Sequence, residues 1–296
     1  MTGFSEKDYW ILWQHFYADV GPKHFYQLLK SFGSAKKAWE APVSSFRNLG
    51  WGTKTIEKLK NRDKVLVTDT IGWYNKNKIN LITPEEDIYP SGLTSLSSPP
   101  PVLYARGELR KRDNLALAVV GSRKMTNYGK SVVQALVPEL VSAGLTIVSG
   151  LAVGVDTEAH WSAIQSGGRT IAVLPCGIDQ VYPPQNRRLG QVISKHGVVL
   201  TEFPLGTSPD KGNFPLRNRI IAGLSLGVLV IEAAVGSGTF HTVSAALEQG
   251  KDVFAVPGSI FSPYSEGCAA LIKRGAKPVT RVSDILEEIR RPAQLL

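Results

Sequence analysis

The chain has only two cysteines, Cys176 and Cys268, in 296 residues, too few and too far apart for a zinc site of paired thiolates or a disulfide framework. Such usage suits a reducing compartment. No apolar run is long enough to span a membrane, and the N-terminus mixes Glu6, Lys7 and Asp8 with aromatics where a secretory leader would be apolar. A soluble, cytoplasmic protein is expected. The usual nucleotide fingerprints are missing too. The full P-loop pattern does not occur, because Gly129-Lys130-Ser131 has Lys124 where the first glycine belongs; a dinucleotide turn needs three glycines, where this chain offers Gly121 and then only Gly129. No metal or cofactor is expected. Acidic residues are the scarcer charge, 25 Asp and Glu against 34 Lys and Arg, and the net +9 favours a polyanionic partner.

What is present is a globular composition, 43% hydrophobic, in a chain long enough for one large domain and a small one. Residues 1–80 hold 13 Lys and Arg against 7 Asp and Glu, so most of the basic excess lies there. Trp10, Trp13 and Phe16, then Phe25, Leu28, Leu29 and Phe32, then Ala38 and Trp39 recur at helical spacing between Gly21-Pro22 and Gly33-Ser34. This predicts a small helical domain of sterile-alpha-motif or helix-hairpin-helix type. It either presents amides to phosphate or only packs on a neighbour. Residues 81–112 are rich in proline, with Tyr89-Pro90 and Pro99-Pro100-Pro101, and read as an extended connecting segment that packs on the next domain. From 113 to 296 short apolar runs alternate with helix-length amphipathic stretches, which predicts an α/β domain with a doubly wound, mostly parallel Rossmann-like sheet. The expected strands are 115–120, 145–149, 170–174, 198–201, 227–231 and 252–255.

Ligands on such sheets lie beyond the carboxyl ends of the strands, where strand order reverses. Three strand ends there carry residues suited to an anion: Gly121-Ser122-Arg123, Ser149-Gly150 with Gly154, and Ser237-Gly238-Thr239. A fourth stretch, Lys211-Gly212-Asn213-Phe214-Pro215-Leu216-Arg217-Asn218-Arg219, sets three cations around one ring. Phosphates would meet Lys211, Arg217 and Arg219 while Phe214 stacks a base, an arrangement suited to single-stranded nucleic acid. The same residues would also serve as a hydrophobic staple and a solvated first turn. With Arg123 the phosphate-binding cations number four, implying a salt slope of about −3 in log affinity. Asp156 and His160 lie four apart but are too few for zinc, and read as a cap or a bond within the cleft. Glu202 and Glu232 lack a nucleophile and read as groups that orient Arg217 or Arg219. No catalytic residue is assigned.

The sequence resembles the DprA/Smf family of bacterial DNA-processing proteins. The resemblance rests on VVGSRKMTNYG from Val119, VSGLAVGVDTEAH from Val148, TIAVLPCGIDQVYPPQN from Thr170, TEFPLG from Thr201, NFPLRNRIIAGLS from Asn213 and VIEAAVGSGTFHTVSAA from Val230, and covers nearly all of residues 89–280. It implies a helical N-terminal domain and an extended Rossmann fold that binds single-stranded DNA, acts as a homodimer, protects incoming DNA in natural transformation and loads the RecA recombinase. The family's DNA-binding positions fall here on Arg123, Lys211, Phe214, Arg217 and Arg219. Gly267-Cys268-Ala269-Ala270 departs from the family's Gly-x-Asn. Many members also carry a C-terminal winged-helix domain, and this sequence ends at Leu296 just past Ile289. The rival is an enzyme, the Rossmann nucleoside monophosphate hydrolases of the lysine-decarboxylase-like group. Their Pro-Gly-Gly-x-Gly-Thr and following glutamate are replaced here by Val235-Gly236-Ser237-Gly238-Thr239-Phe240-His241-Thr242, without the proline or the acid.

Overall fold

The apolar runs form strands of one nine-stranded sheet in the computed structural model, which describes residues 4–62 and 67–290. They are β1 (Ile79–Ile82), β2 (Leu103–Gly107), β3 (Ala116–Val120), β4 (Thr146–Ser149), β5 (Thr170–Val173), β6 (Val198–Thr201), β7 (Gly227–Val230), β8 (Asp252–Ala255) and β9 (Lys277–Pro278). Their spatial order is β1-β2-β6-β5-β4-β3-β7-β8-β9. Strands β3 to β9 pair in parallel, and β2 pairs antiparallel with both β6 and β1. The six expected parallel strands are all present within one residue of their expected bounds. From β3 the chain builds outward through β4, β5 and β6, then returns to the other flank of β3 with β7. Strand order therefore reverses between β3 and β7, and the crevice beyond their carboxyl ends is the place for a ligand.

The N-terminal stretch forms α1 (Glu6–Gln14), α2 (Pro22–Phe32), α3 (Ala35–Glu40), α4 (Thr53–Leu59) and α5 (Val67–Lys76). Ser5 and Asp8 close a capping box on α1, Pro22 opens α2, and Gly33 ends α2 at φ +82°. Trp13 is fully buried, with Trp39 and Phe46 at centroid distances of 5.2 and 6.0 Å, and its indole N–H donates to Ala35 O at 3.1 Å. The proline-rich stretch does more than cross the molecule. It supplies β1, β2 and the short α6 (Ser91–Thr94), which widen the sheet past its parallel part.

Alternation along the strands decides what covers each face. Ala116, Ala118 and Val120 face a layer that includes α10 (Asn213–Gly223), α11 (Thr239–Glu248) and α12 (Glu266–Lys273). Leu117 and Val119 face α7 (Asn127–Ser142), α8 (Val155–Gln165) and α13 (Ser283–Arg290), the helix α9 (Arg187–His196) continuing that layer beside β5 and β6. The N-terminal helices are not a detached module. Trp10, Trp13 and Phe25 share one apolar cluster with Tyr104, Leu174, Val199 and Ile193. Tyr74 stacks on Tyr104 at 5.1 Å and its hydroxyl accepts the Leu205 N–H at 3.1 Å. Trp13→Ala should lower unfolding free energy by about 3–5 kcal/mol in urea denaturation followed by circular dichroism, and a loss under about 1 kcal/mol would contradict this packing.

Candidate functional site

Three loops meet at the point where strand order reverses. After β3, the Ser122 N–H donates to Glu232 O at 2.7 Å and the Ser122 hydroxyl accepts the Lys124 N–H at 3.0 Å, so the turn is folded back over the end of β7. The loop after β4 lies against it. Gly154 has φ +85°, and a Cβ there would stand 2.3 Å from Ser122 O, so only glycine allows this approach. After β7, Gly236, Ser237 and Gly238 lead into α11, with Ser237 Oγ and Thr239 Oγ1 2.9 Å apart. These loops and one side of α10 enclose a cleft of about 570 Å³.

At its floor lies Arg217, only 5% exposed. Its Nη1 donates to Gly150 O at 2.6 Å and Val173 O at 2.5 Å, and its Nε donates to Asn218 Oδ1 at 2.9 Å. A Cβ on Gly150 would fall 2.5 Å from that Nη1, which explains the glycine. Burial pulls the Arg217 pKa down to about 10, with Asp156 opposing and Arg123 adding to the shift, so the group stays charged at neutral pH. Above it the half-buried Phe214 ring has two cations near it, the Arg123 guanidinium 5.5 Å and that of Arg217 5.9 Å from its centroid, with Tyr182 edge-on at 5.8 Å.

The residues expected at the site separate into four groups. Gly121, Ser122, Arg123, Phe214, Arg217, Asn218, Ser237, Gly238 and Thr239 line the cleft together. Ser149 and Gly150 lie beneath it, the Ser149 hydroxyl donating to Val119 O at 2.7 Å. Asn213 and Arg219 look the other way, into a second cavity under the N-terminal helices. There Arg219 binds the buried Glu202 carboxylate and donates to Ser98 O at 3.0 Å. Lys211 is exposed just before α10. Of the two glutamates, Glu202 does orient Arg219, whereas Glu232 accepts from the N–H and hydroxyl of Thr126 at 2.9 and 2.6 Å and holds the start of α7 instead. Asp156 accepts the N–H groups of Gly150 and Ala152 at 3.1 and 3.2 Å. Sequence reasoning did not assign Lys124, His241, Thr242 or Tyr264, which also line the cleft. The cation next to Arg123 and the first turn of α11 were the signals available for the first three; Tyr264 comes from a distant loop and left none.

The profile of the family described as DNA recombination-mediator protein A matches residues 80–290. Protein Smf of Synechocystis sp. is 39% identical over 291 residues, 96% of this chain and 73% of that protein. Among solved structures, DNA processing protein A of Streptococcus pneumoniae superposes with a TM-score of 0.80 at 34% identity, over 95% of this chain and 97% of that one. DNA processing protein A of Helicobacter pylori, described for its unique single-stranded DNA binding mode, gives 0.65 at 30% identity over 73% and 98%.

His160, behind the cleft, makes stability depend on pH. The Thr170 hydroxyl donates to Ile147 O at 2.7 Å, so the contact of 2.6 Å between Thr170 Oγ1 and His160 Nδ1 requires Nδ1 to carry the proton. The buried Nε2 has no partner among the described residues, and burial, with Arg217 adding, drops the pKa from 6.5 to about 3. Below pH 6.5 the unfolded chain takes up a proton that the fold refuses. Stability should then fall by about 1.4 kcal/mol per pH unit as pH drops from 6.5 toward 3. Asp156, raised by burial, acts with the opposite sign from 3.8 upward. Thermal melts from pH 7 to pH 5 should show a clearly shallower decline for His160→Gln, and parallel declines would remove His160 as the cause.

Proposed function

Because the chain belongs to the DNA recombination-mediator protein A family, we propose that it binds single-stranded DNA along the cleft at the β3–β7 reversal point, without strong sequence preference. In this reading it protects incoming DNA during natural transformation and hands it to the RecA recombinase, acting as a cytoplasmic homodimer. Residues 113–296 are the binding unit, residues 1–80 a helical domain and 81–112 the segment between them. Among the described residues no helix is long and apolar enough to cross a membrane.

The observation that carries the proposal is the Phe214 ring at the cleft mouth with the Arg123 and Arg217 guanidiniums close to it. A base stacks on such a ring, and its flanking phosphates meet cations and loop amides. The arrangement divides the cationic work. Arg123, Lys124 and Lys211 are exposed and contact phosphate. Arg217 contributes its field from below and holds the ring, while Arg219 is bound to Glu202 and acts structurally. The hydrolase reading gains nothing from the geometry. Asp156 is the one carboxylate on the cleft wall among the described residues, and it is engaged by two backbone N–H groups.

Three direct phosphate contacts give a slope of about −2 in log affinity against log salt, short of the value of about −3 for four. Titration of single-stranded and double-stranded DNA across a salt series, with nucleoside monophosphate hydrolysis assayed on the same sample, tests this. Arg123→Ala should flatten the slope, Arg219→Ala should leave it unchanged, and Phe214→Ala should weaken binding by about 1–3 kcal/mol at constant slope. Turnover, or equal slope losses for Arg123 and Phe214 variants, would overturn the reading.

A further inference from the structure

The N-terminal helices hold a steep charge imbalance: residues 21–60 carry eight Lys and Arg against Glu40 and Glu57. Part of it surrounds the hairpin between the 3-10 turn Val43–Leu49 and α4. The anchor of this hairpin is Trp51, which is buried, stacks on Phe46 at 6.0 Å and lies beside the His24 ring at 5.1 Å. Its indole N–H donates to Gln27 Oε1 at 2.8 Å while Gln27 Nε2 donates to Leu49 O at 2.9 Å, so one carboxamide on α2 pins the turn at two points. With Trp51 turned inward, Gly50, Gly52, Thr53 and Lys54 are left exposed. Gly50 has φ +73°, a conformation that calls for glycine. Gly52 has no such reason. Its φ of −63° suits any residue, and a Cβ there would meet nothing within 4 Å, so neither strain nor packing inside the chain accounts for the missing side chain. A bare backbone on an exposed turn leaves room for an outside group to come close.

The cations set the charge of that group. Arg47 and Lys54 are exposed at the two ends of the hairpin, and the exposed Lys30 lies one turn along α2 from Gln27, on the same helix face. None of the three has an ion-pair partner among the described residues, whereas the acids close by are occupied, Asp19 by Lys58 and Glu57 by Lys60. Glu40 sits at the end of α3 against the Tyr9 hydroxyl, and Lys23 lines the second cavity together with Asp210 and is not counted. Because α4 has only seven residues, side chains and not a helix end supply the attraction. We propose that this hairpin face is a DNA contact separate from the cleft, and that it holds the phosphate backbone of double-stranded DNA. Duplex follows from what the face lacks. No large hydrophobic side chain is exposed between residues 21 and 60, so unpaired bases would find no ring to stack on. A duplex keeps its bases stacked inside and presents phosphates, which three cations and a bare turn meet without reading sequence. The inference does not rest on the cleft reading.

Fluorescence anisotropy of the full chain with a blunt-ended duplex, run beside a single-stranded oligonucleotide across a salt series, decides the matter. A variant combining Lys30→Gln, Arg47→Gln and Lys54→Gln, all at exposed positions, should weaken duplex binding about tenfold at low salt. It should also flatten the slope of log affinity against log salt by about 2.7, three contacts at about 0.9 each. Gly52→Val, at a φ any residue adopts and with open space around its Cβ, should keep the wild-type melting curve and still weaken the duplex severalfold. Single-strand affinity should hold in both variants. Duplex affinity unchanged in either variant, a parallel loss of single-strand and duplex binding, or no duplex binding by the wild type would each overturn the hairpin site. The cleft reading stands or falls separately, on Arg123→Ala with the single strand.

Discussion

The buried guanidinium of Arg217 holds the end of the sheet together. Parallel strands leave carbonyls at their carboxyl ends with no further strand residue to satisfy them, and here Gly150 O and Val173 O both accept from one Nη1. The bond ties α10 to two strands at once. It also keeps a positive charge under the cleft, since its pKa, though lowered by burial to about 10, is supported by the nearby Asp156 and lies well above neutrality. Phe214, three residues earlier on the same helix, lies within reach of that charge and of Arg123. Stability and the proposed binding surface rest on the same side chain.

Carboxylates around this point are occupied within the protein. Glu232 fastens the start of α7 through Thr126 and Glu202 holds Arg219; at the opposite, amino edge of the sheet Asp113 makes a two-pronged pair with Arg169 at 2.7 Å on each arm. Because each buried acid is matched to a donor, the basic residues left over stand at the surface. At the cleft this leaves a local positive field where Arg123 and Lys124 stand, apart from the larger basic excess of residues 1–80.

Much of this was legible in the sequence. The six parallel strands show as apolar runs because both faces of a covered sheet are buried, so each run lacks polar interruptions. Strand ends rich in glycine, serine and cations marked the cleft, and the aromatic-cation stretch marked its wall. Strands β1 and β2 were hidden by neighbouring prolines, and β9 is two residues long with proline as its second. The roles of Arg217 and Arg219 were hidden for another reason. Two arginines separated by one residue on a helix point about 200° apart, so one turned beneath the cleft and the other into the second cavity. Spacing alone did not say which carbonyls or carboxylates would meet them.

Periodicity and residue chemistry determined by themselves an α/β sheet, a helical N-terminal part and a basic, ring-bearing strand edge, because these follow from local pattern along the chain. Only the tertiary structure decided which cations are free to touch a ligand, since that depends on partners contributed by distant segments: Gly150 and Val173 for Arg217, Glu202 and Ser98 for Arg219. The second cavity, under the N-terminal helices, belongs to the same category. It exists because α1 and the loop after β6 come together across nearly two hundred residues of chain, a distance over which no sequence period reaches.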